Sequence, residues 1–371
     1  RTDLKYLSAL DFKTISEKQL VNKQMKINEV LKYARTLNQH TQLYDILKHR
    51  LINKGYIRSD KQKEDLNDLV LSELHLIANN SYQGFEAQKL HLLFQATYYL
   101  NSGNYKSAIR YYQELINLFN DNQHLILNPP IYYLSAIQGI LDSLCIAGLY
   151  HETPFFLSKL EELTQNEYST EFILHLKTLI YIYKSNSLLQ AGNFEQALEL
   201  RDKQENELLK KVTSLGLESQ LRLYLSFAVL GMYTKDYVQA RKYMKKIFSL
   251  GKLFCAFPSY KIARLVNLLL QAELGNYDFF KNEIISIKRN IRFEKQTYIT
   301  EKLIFKFIQG YPLPSYEKAR NKRWLQYQKD IQKIEQDKYE RQLLKTFDVL
   351  AWIESKLTQR SLADIFAEKA H

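Results

Sequence analysis

The side chains that most often perform chemistry in proteins are scattered along this sequence. Its eight histidines form neither an HExxH pair nor a Cys/His metal spacing. The two cysteines, Cys145 and Cys255, lie in apolar runs without a nearby basic residue that would activate a thiolate. No glycine-rich phosphate loop and no G-x-S-x-G motif is present. The carboxylates stand at helical spacing from Lys or Arg, which is typical of a solvated helix face. We therefore predict a protein that is not an enzyme and that holds no metal or cofactor.

One cluster near the C-terminus combines basic and aromatic side chains in a pattern that is also found in nucleic-acid binding. Basic residues neutralise phosphates, and an interleaved aromatic ring stacks on a base. The candidate residues are Lys318, Arg320, Lys322, Arg323 and Trp324. Glu317 and Asp330 flank the cluster, whereas a phosphate-binding groove normally excludes carboxylates. We favour a solvated charged helix and keep nucleic-acid binding as an alternative.

The net charge of +12 is distributed unevenly. Basic residues outnumber acidic ones in residues 1–63 and 281–345, whereas residues 64–280 are slightly acidic. Basic ends can attract an anionic partner. Lysine-rich solvated helix faces produce the same balance, and we favour that simpler explanation.

Composition also bears on the compartment. Two cysteines in apolar runs fit a reducing environment better than a disulfide scaffold. No window reaches the roughly 18 uninterrupted apolar residues that a membrane helix needs. We expect a cytoplasmic protein with no membrane contact.

Short turns divide the chain into apolar stretches of helical period. The clearest turns are Gly103-Asn104-Tyr105, Gly192-Asn193-Phe194 and Gly275-Asn276-Tyr277. A glycine suits the left-handed residue that ends a helix, and an asparagine caps the next one. Sustained helical periodicity and the scarcity of Pro and Gly predict an all-α fold.

The hairpin around Gly103 resembles the tetratricopeptide (TPR) repeat. That motif places a small residue and an aromatic on its first helix, and an alanine and an aromatic on its second. Here these positions hold Ala96, Tyr99, Ala108 and Tyr112. Later copies match less well, and their turns are about 40 to 45 residues apart, against 34 in the standard repeat. The resemblance implies a right-handed α-α superhelix, a TPR-like solenoid with a C-terminal helical cap.

The chain divides into three predicted regions. Residues 1–80 form N-terminal helical hairpins, 81–290 the TPR-like repeats, and 291–371 long charged helices and the cap. In the first region we predict a helix over 16–38, a break at 38–41, and a second helix that Gly55 ends. A further charged helix is predicted from Asp60.

The C-terminal region is predicted from its charge pattern and its capping residues. A charged helix is predicted over 315–336, with a continuation from Tyr339 to Lys356. A capping pair, Ser361 and Asp364, begins a terminal helix. These helices are expected to dock on the last repeat, since a solenoid must cover its last apolar face.

The resemblance also implies a binding surface. TPR-like arrays bind an extended peptide or a partner helix on the concave face, which the first helix of each hairpin lines. Transferred by their offset from the turns, the groove positions are Thr97, Asn101, Gln138, Asp142, Asn186, Gln190 and Arg222. We predict a non-enzymatic scaffold or adaptor that recognises a peptide or protein segment. An alternative is the sensor module of a bacterial peptide-responsive regulator, which would need a DNA-binding domain before Arg1.

Overall fold

The computed structural model describes residues 16–55, 57–78, 84–251, 257–294 and 298–370. Over those residues the regular secondary structure is helical throughout, which confirms the all-α prediction. No helix in this described part is long and apolar enough to cross a bilayer. The second cysteine, Cys255, lies outside the described residues.

The N-terminal helix α1 (Glu17–Lys54) is one continuous helix, so the predicted break at residues 38–41 is wrong. Thr41 donates its hydroxyl to the Leu37 carbonyl at 2.9 Å, so its polar group is satisfied inside the helix instead of capping a new one. Gly55, with a φ of +71°, ends the helix as predicted.

Two short helices replace the single charged helix that we predicted from Asp60. They are α2 (Asp60–Glu64) and α3 (Asn67–Ala78). Ser59 caps α2 by accepting a hydrogen bond from the Gln62 amide at 3.3 Å. Helix α3 packs against α1, which in turn packs against the helical pairs that follow.

Ten helices then form five consecutive hairpins, each with a first and a second helix. The first helices are α4 (Phe85–Asn101), α6 (Ile131–Ala147), α8 (Thr170–Gln190), α10 (Leu217–Tyr233) and α12 (Pro258–Glu273). The second helices are α5 (Tyr105–Asp121), α7 (Thr153–Leu163), α9 (Phe194–Lys210), α11 (Tyr237–Ser249) and α13 (Tyr277–Glu294). From α4 to α13, each helix packs against the next one in the chain.

The α4–α5 hairpin shows why these residues pair. Gly103 has a φ of +78°, and the Asn104 side chain accepts a hydrogen bond from the Ser107 amide at 3.2 Å, so both predicted turn roles are confirmed. The Tyr112 ring packs on Gly139 of α6, where an added Cβ would lie 2.2 Å from the ring. Only a glycine therefore lets α5 and α6 approach this closely.

Five helices form the C-terminal part. They are α14 (Ile299–Ile308), α15 (Glu317–Gln336), α16 (Arg341–Leu344), α17 (Val349–Thr358) and α18 (Leu362–Ala370). The charged helix α15 and the cap at Ser361, whose hydroxyl accepts from the Asp364 amide at 3.1 Å, match the prediction. An apolar core that includes Phe227, Phe307 and Trp352 runs from the hairpins into these helices.

The predicted continuation of the helix from Tyr339 to Lys356 is wrong. The Asp337 carboxylate accepts a hydrogen bond from the Tyr339 amide at 2.7 Å and turns the chain at this point. Asp348 begins α17 by accepting from the Ala351 amide at 2.9 Å. Polar side chains that bond to nearby backbone thus interrupt the helical pattern twice.

Residues 338–348, which we call the return segment, run back across the earlier hairpins. The expected contact with the last hairpin exists at one ion pair, in which Lys356 of α17 lies 2.5 Å from Glu273 of α12. The return segment instead reaches the first hairpin, where the Tyr105 hydroxyl donates to the Lys338 carbonyl at 2.6 Å. The C-terminal region therefore contacts most of the array and not only its end.

Candidate binding cavity

A cavity of about 330 Å³ lies where the first helices of the five hairpins come together. Each of α4, α6, α8, α10 and α12 contributes to its wall, and the end of α1 and the return segment complete it. Five of the seven predicted groove residues line this cavity. They are Asn101, Gln138, Asp142, Asn186 and Arg222. These five positions, which were predicted from their distance to the turns, therefore share one surface, the wall of this cavity.

The remaining two predicted groove residues lie elsewhere. Thr97 is one turn before Asn101, whose side-chain amide donates to the Thr97 carbonyl at 2.9 Å. Gln190, at the end of α8, lines a second cavity of about 590 Å³. The two cavities touch different faces of the return segment, with Gln342 on the first, Leu344 on the second and Lys345 on both.

A single carboxylate organises the polar side of the first cavity. Asp142 Oδ1 lies 3.2 Å from Arg222 Nη2, 3.3 Å from Lys345 Nζ and 2.9 Å from the Tyr183 hydroxyl that donates to it. Arg222 also donates to the Tyr183 oxygen at 3.1 Å. The charged side chains are 15–16% exposed, so their attractions are screened less than those on the surface.

Electrostatics keep this carboxylate charged. Burial raises the pKa of Asp142, but Lys345, Arg222 and the Tyr183 hydroxyl outweigh burial and lower it. Burial and the Asp142 charge together raise the pKa of the Cys145 thiol, on the same wall, to about 12. The thiol is therefore protonated at neutral pH and is a poor nucleophile. The wall offers charges and amides for binding, not an activated nucleophile.

The wall of the first cavity already holds a backbone atom of the return segment, because the Asn186 side-chain amide donates to the Lys345 carbonyl at 3.1 Å. Away from the cavity, the Asp348 amide donates to the buried Tyr233 hydroxyl at 2.7 Å. Sequence reasoning missed Tyr183 and Lys345 as members of this site. Lys345 lies 159 residues from Asn186, and no local pattern connects positions so distant.

The predicted basic cluster lies on α15, and its arginines serve the fold. Arg320 donates to two carbonyls of loop 310–315 at 3.1 and 2.6 Å, and Arg323 donates to a third at 2.6 Å. Trp324 packs, half-buried, against the core. The exposed members of the cluster are Lys318 and Lys322.

A buried histidine–glutamate cluster was not anticipated. Glu73 of α3 is fully buried, 2.7 Å from His91 Nδ1 of α4 and 3.4 Å from His40 Nδ1 of α1. The expectation that carboxylates lie on solvated faces is therefore wrong here. Burial raises the pKa of Glu73, but the nearby His40 and the hydrogen-bonded His91 outweigh burial and lower it. Within the described ranges, no three His, Cys, Asp or Glu side chains are arranged to hold a metal ion.

Comparisons with protein-family models, curated proteins and solved structures find no match to this chain.

Proposed function

We propose that the protein is a non-enzymatic scaffold or adaptor that binds an extended peptide or protein segment on the concave face of a right-handed α-α superhelix. One observation carries the proposal: the first helices of five successive hairpins share one cavity wall. In a superhelix of stacked hairpins, equivalent helices line the inner surface. The shared wall is what such winding would produce.

The side chains on this wall suit an extended backbone. Asn101, Gln138 and Asn186 carry amides, which both donate and accept hydrogen bonds. Asn186 already bonds to a backbone carbonyl, and the Asp142–Arg222 pair supplies both signs of charge. A volume of about 330 Å³ is within the range of known ligand pockets.

The test fills the cavity without removing a polar contact. Ser226 lines the cavity on α10, and Ser226→Phe directs a ring into the open space. Ser158 on α7 is exposed, so Ser158→Phe is a matched control. Peptides selected from a random displayed library on the wild-type chain should keep their affinity for Ser158→Phe. They should lose about tenfold or more on Ser226→Phe, as measured by fluorescence anisotropy.

Two outcomes would count against the proposal. Selected peptides that bind Ser226→Phe as tightly as wild type would place binding outside the cavity. A library that yields no specific peptide on the full chain would remove the peptide-binding function.

The alternative functions have less support from geometry. Nucleic-acid binding through the basic cluster has to rely on Lys318 and Lys322, because Arg320 and Arg323 hold loop 310–315. A peptide-responsive regulator would use the same cavity, so the same selection addresses it. A cytoplasmic location belongs to the proposal and agrees with the free, buried thiol of Cys145.

A further inference from the structure

The return segment is held in the way that a bound peptide would be held. Three of its backbone groups bond to side chains from three different helices of the array: Tyr105 to the Lys338 carbonyl, Asn186 to the Lys345 carbonyl, and Tyr233 to the Asp348 amide. Side chains that bond to backbone groups hold any sequence of suitable shape. These contacts would therefore also serve a peptide of another sequence whose backbone follows the same course of turns and one short helix.

Two side chains of the return segment add specificity. Lys345 reaches the Asp142 carboxylate, and the Phe347 ring stacks on the Tyr233 ring with centroids 4.9 Å apart. With Lys345 in place, Asp142 and Glu218 on the cavity wall are balanced by Arg222 and Lys345. Removal of Lys345 would leave an excess of negative charge, which a cation of a competing chain would neutralise.

The return segment borders open space at its middle, while Tyr339, Leu343 and Phe347 pack in the apolar core. A cavity lies on each of two faces, and Lys345 borders both cavities. Its only helix, α16 (Arg341–Leu344), is four residues long, and so short a helix has little stability of its own. A competing peptide must therefore replace the apolar contacts of these side chains, and Phe347 is the one that packs on the Tyr233 ring.

We propose that the return segment is an internal ligand of the peptide site. Its partner is a basic peptide that displaces it by presenting a Lys or Arg to Asp142 and an aromatic ring to Tyr233. This inference rests on the proposed function and adds the chemistry of the peptide and the regulation of access. Access to the site then depends on competition between the peptide and the chain's own residues 338–348.

The experiment measures that competition on the full chain with a defined probe. The probe is a synthetic peptide of residues 338–348, and a second peptide carries Lys345→Glu. Lys345→Ala in the protein removes the internal cation and leaves Asp142 paired with Arg222 and Tyr183. Lys333→Ala, at an exposed position of α15, is the matched control. The probe should bind the Lys345→Ala chain about tenfold more tightly than wild type or Lys333→Ala.

Two additions identify the site and the displacement. Adding Asp142→Asn to Lys345→Ala should return the affinity to the wild-type level, and the Lys345→Glu peptide should not gain affinity for any variant. Saturating probe should also speed hydrogen exchange of residues 338–348 in the wild-type chain, because those amides leave their partners. Thermal unfolding of each variant checks that the chain is folded.

Equal probe affinity in Lys345→Ala and Lys333→Ala would overturn the proposal. A Lys345→Ala chain that dimerises without gaining affinity would also overturn it, by assigning the site to the return segment of a second copy. These outcomes can be distinguished from a failure of the proposed peptide-binding function. If library peptides still lose affinity on Ser226→Phe, the cavity binds peptides and only the internal-ligand idea falls.

Discussion

Two polar clusters of this chain both contain basic and aromatic side chains but are assembled differently. In the cavity cluster, Asp142, Tyr183, Arg222 and Lys345 come from four separate segments and meet at one carboxylate oxygen. In the basic cluster on α15, the residues are nearly consecutive, and the arginines bond to the loop that precedes their own helix. Charges that are close in sequence find partners locally. In our proposal, the binding surface is the one that packing assembles from distant residues, and a dense run of charge is a weaker indication of such a surface.

The largest effect is expected from a substitution that breaks the cavity cluster. Asp142→Ala leaves Arg222 and Lys345, each about one-sixth exposed, without their shared counter-charge. We expect the free energy of unfolding to fall by about 3 kcal/mol. Asp330→Ala is the control, because its pair with Lys306 is exposed and should contribute less than about 0.5 kcal/mol. Urea unfolding of both variants checks this, and equal losses would contradict the comparison.

The lowered pKa of Asp142 predicts that the free energy of unfolding depends on pH. Its pKa in the folded chain is below the ordinary value of 3.8, so its stabilising contribution is complete above that value. The contribution is lost as the pH falls through the lower folded pKa. The stability difference between wild type and Asp142→Asn should therefore be constant from neutral pH to about pH 4 and shrink below it. A difference that disappears already between pH 7 and 5 would show that the pKa is raised instead.

Local features of the fold could be predicted from the sequence, and long-range ones could not. Gly103 and Asn104 were identified because turn and cap preferences act within a few residues. Asp142 and Arg222 were predicted as groove positions because each lies on the first helix of its hairpin, and both do line the cavity. The break near Thr41 was predicted wrongly because a threonine caps helices but also bonds within one.

Two distant contacts illustrate the limit. Lys345 joins Asp142, and Glu73 joins His40 and His91, only because whole helices pack together. In neither case does the spacing of the residues in the sequence indicate that they are in contact. Five of the seven predicted groove positions share one cavity wall, whereas the return segment beside that wall was not predicted.

The smallest expected effect concerns the basic cluster. Arg320 is 8% exposed and donates to two carbonyls of loop 310–315, whereas Lys322 is exposed on the same helix. Arg320→Ala should lower the free energy of unfolding by about 2 kcal/mol, because a buried charged donor is lost. Lys322→Ala should change it by less than about 0.5 kcal/mol. Thermal or urea unfolding of the two variants measures the contrast.

Variants in this cluster can also distinguish a structural role from a role in nucleic-acid binding. A loss of nucleic-acid retention in an Arg320 variant would be ambiguous, because the loop it holds is disturbed at the same time. Lys318→Glu plus Lys322→Glu changes the exposed charges and leaves the loop contacts intact. If that double variant loses salt-sensitive retention while its stability is unchanged, the basic cluster is a binding surface. Such a result would contradict the comparison with the cavity cluster, because a run of neighbouring charges would then form a nucleic-acid-binding site.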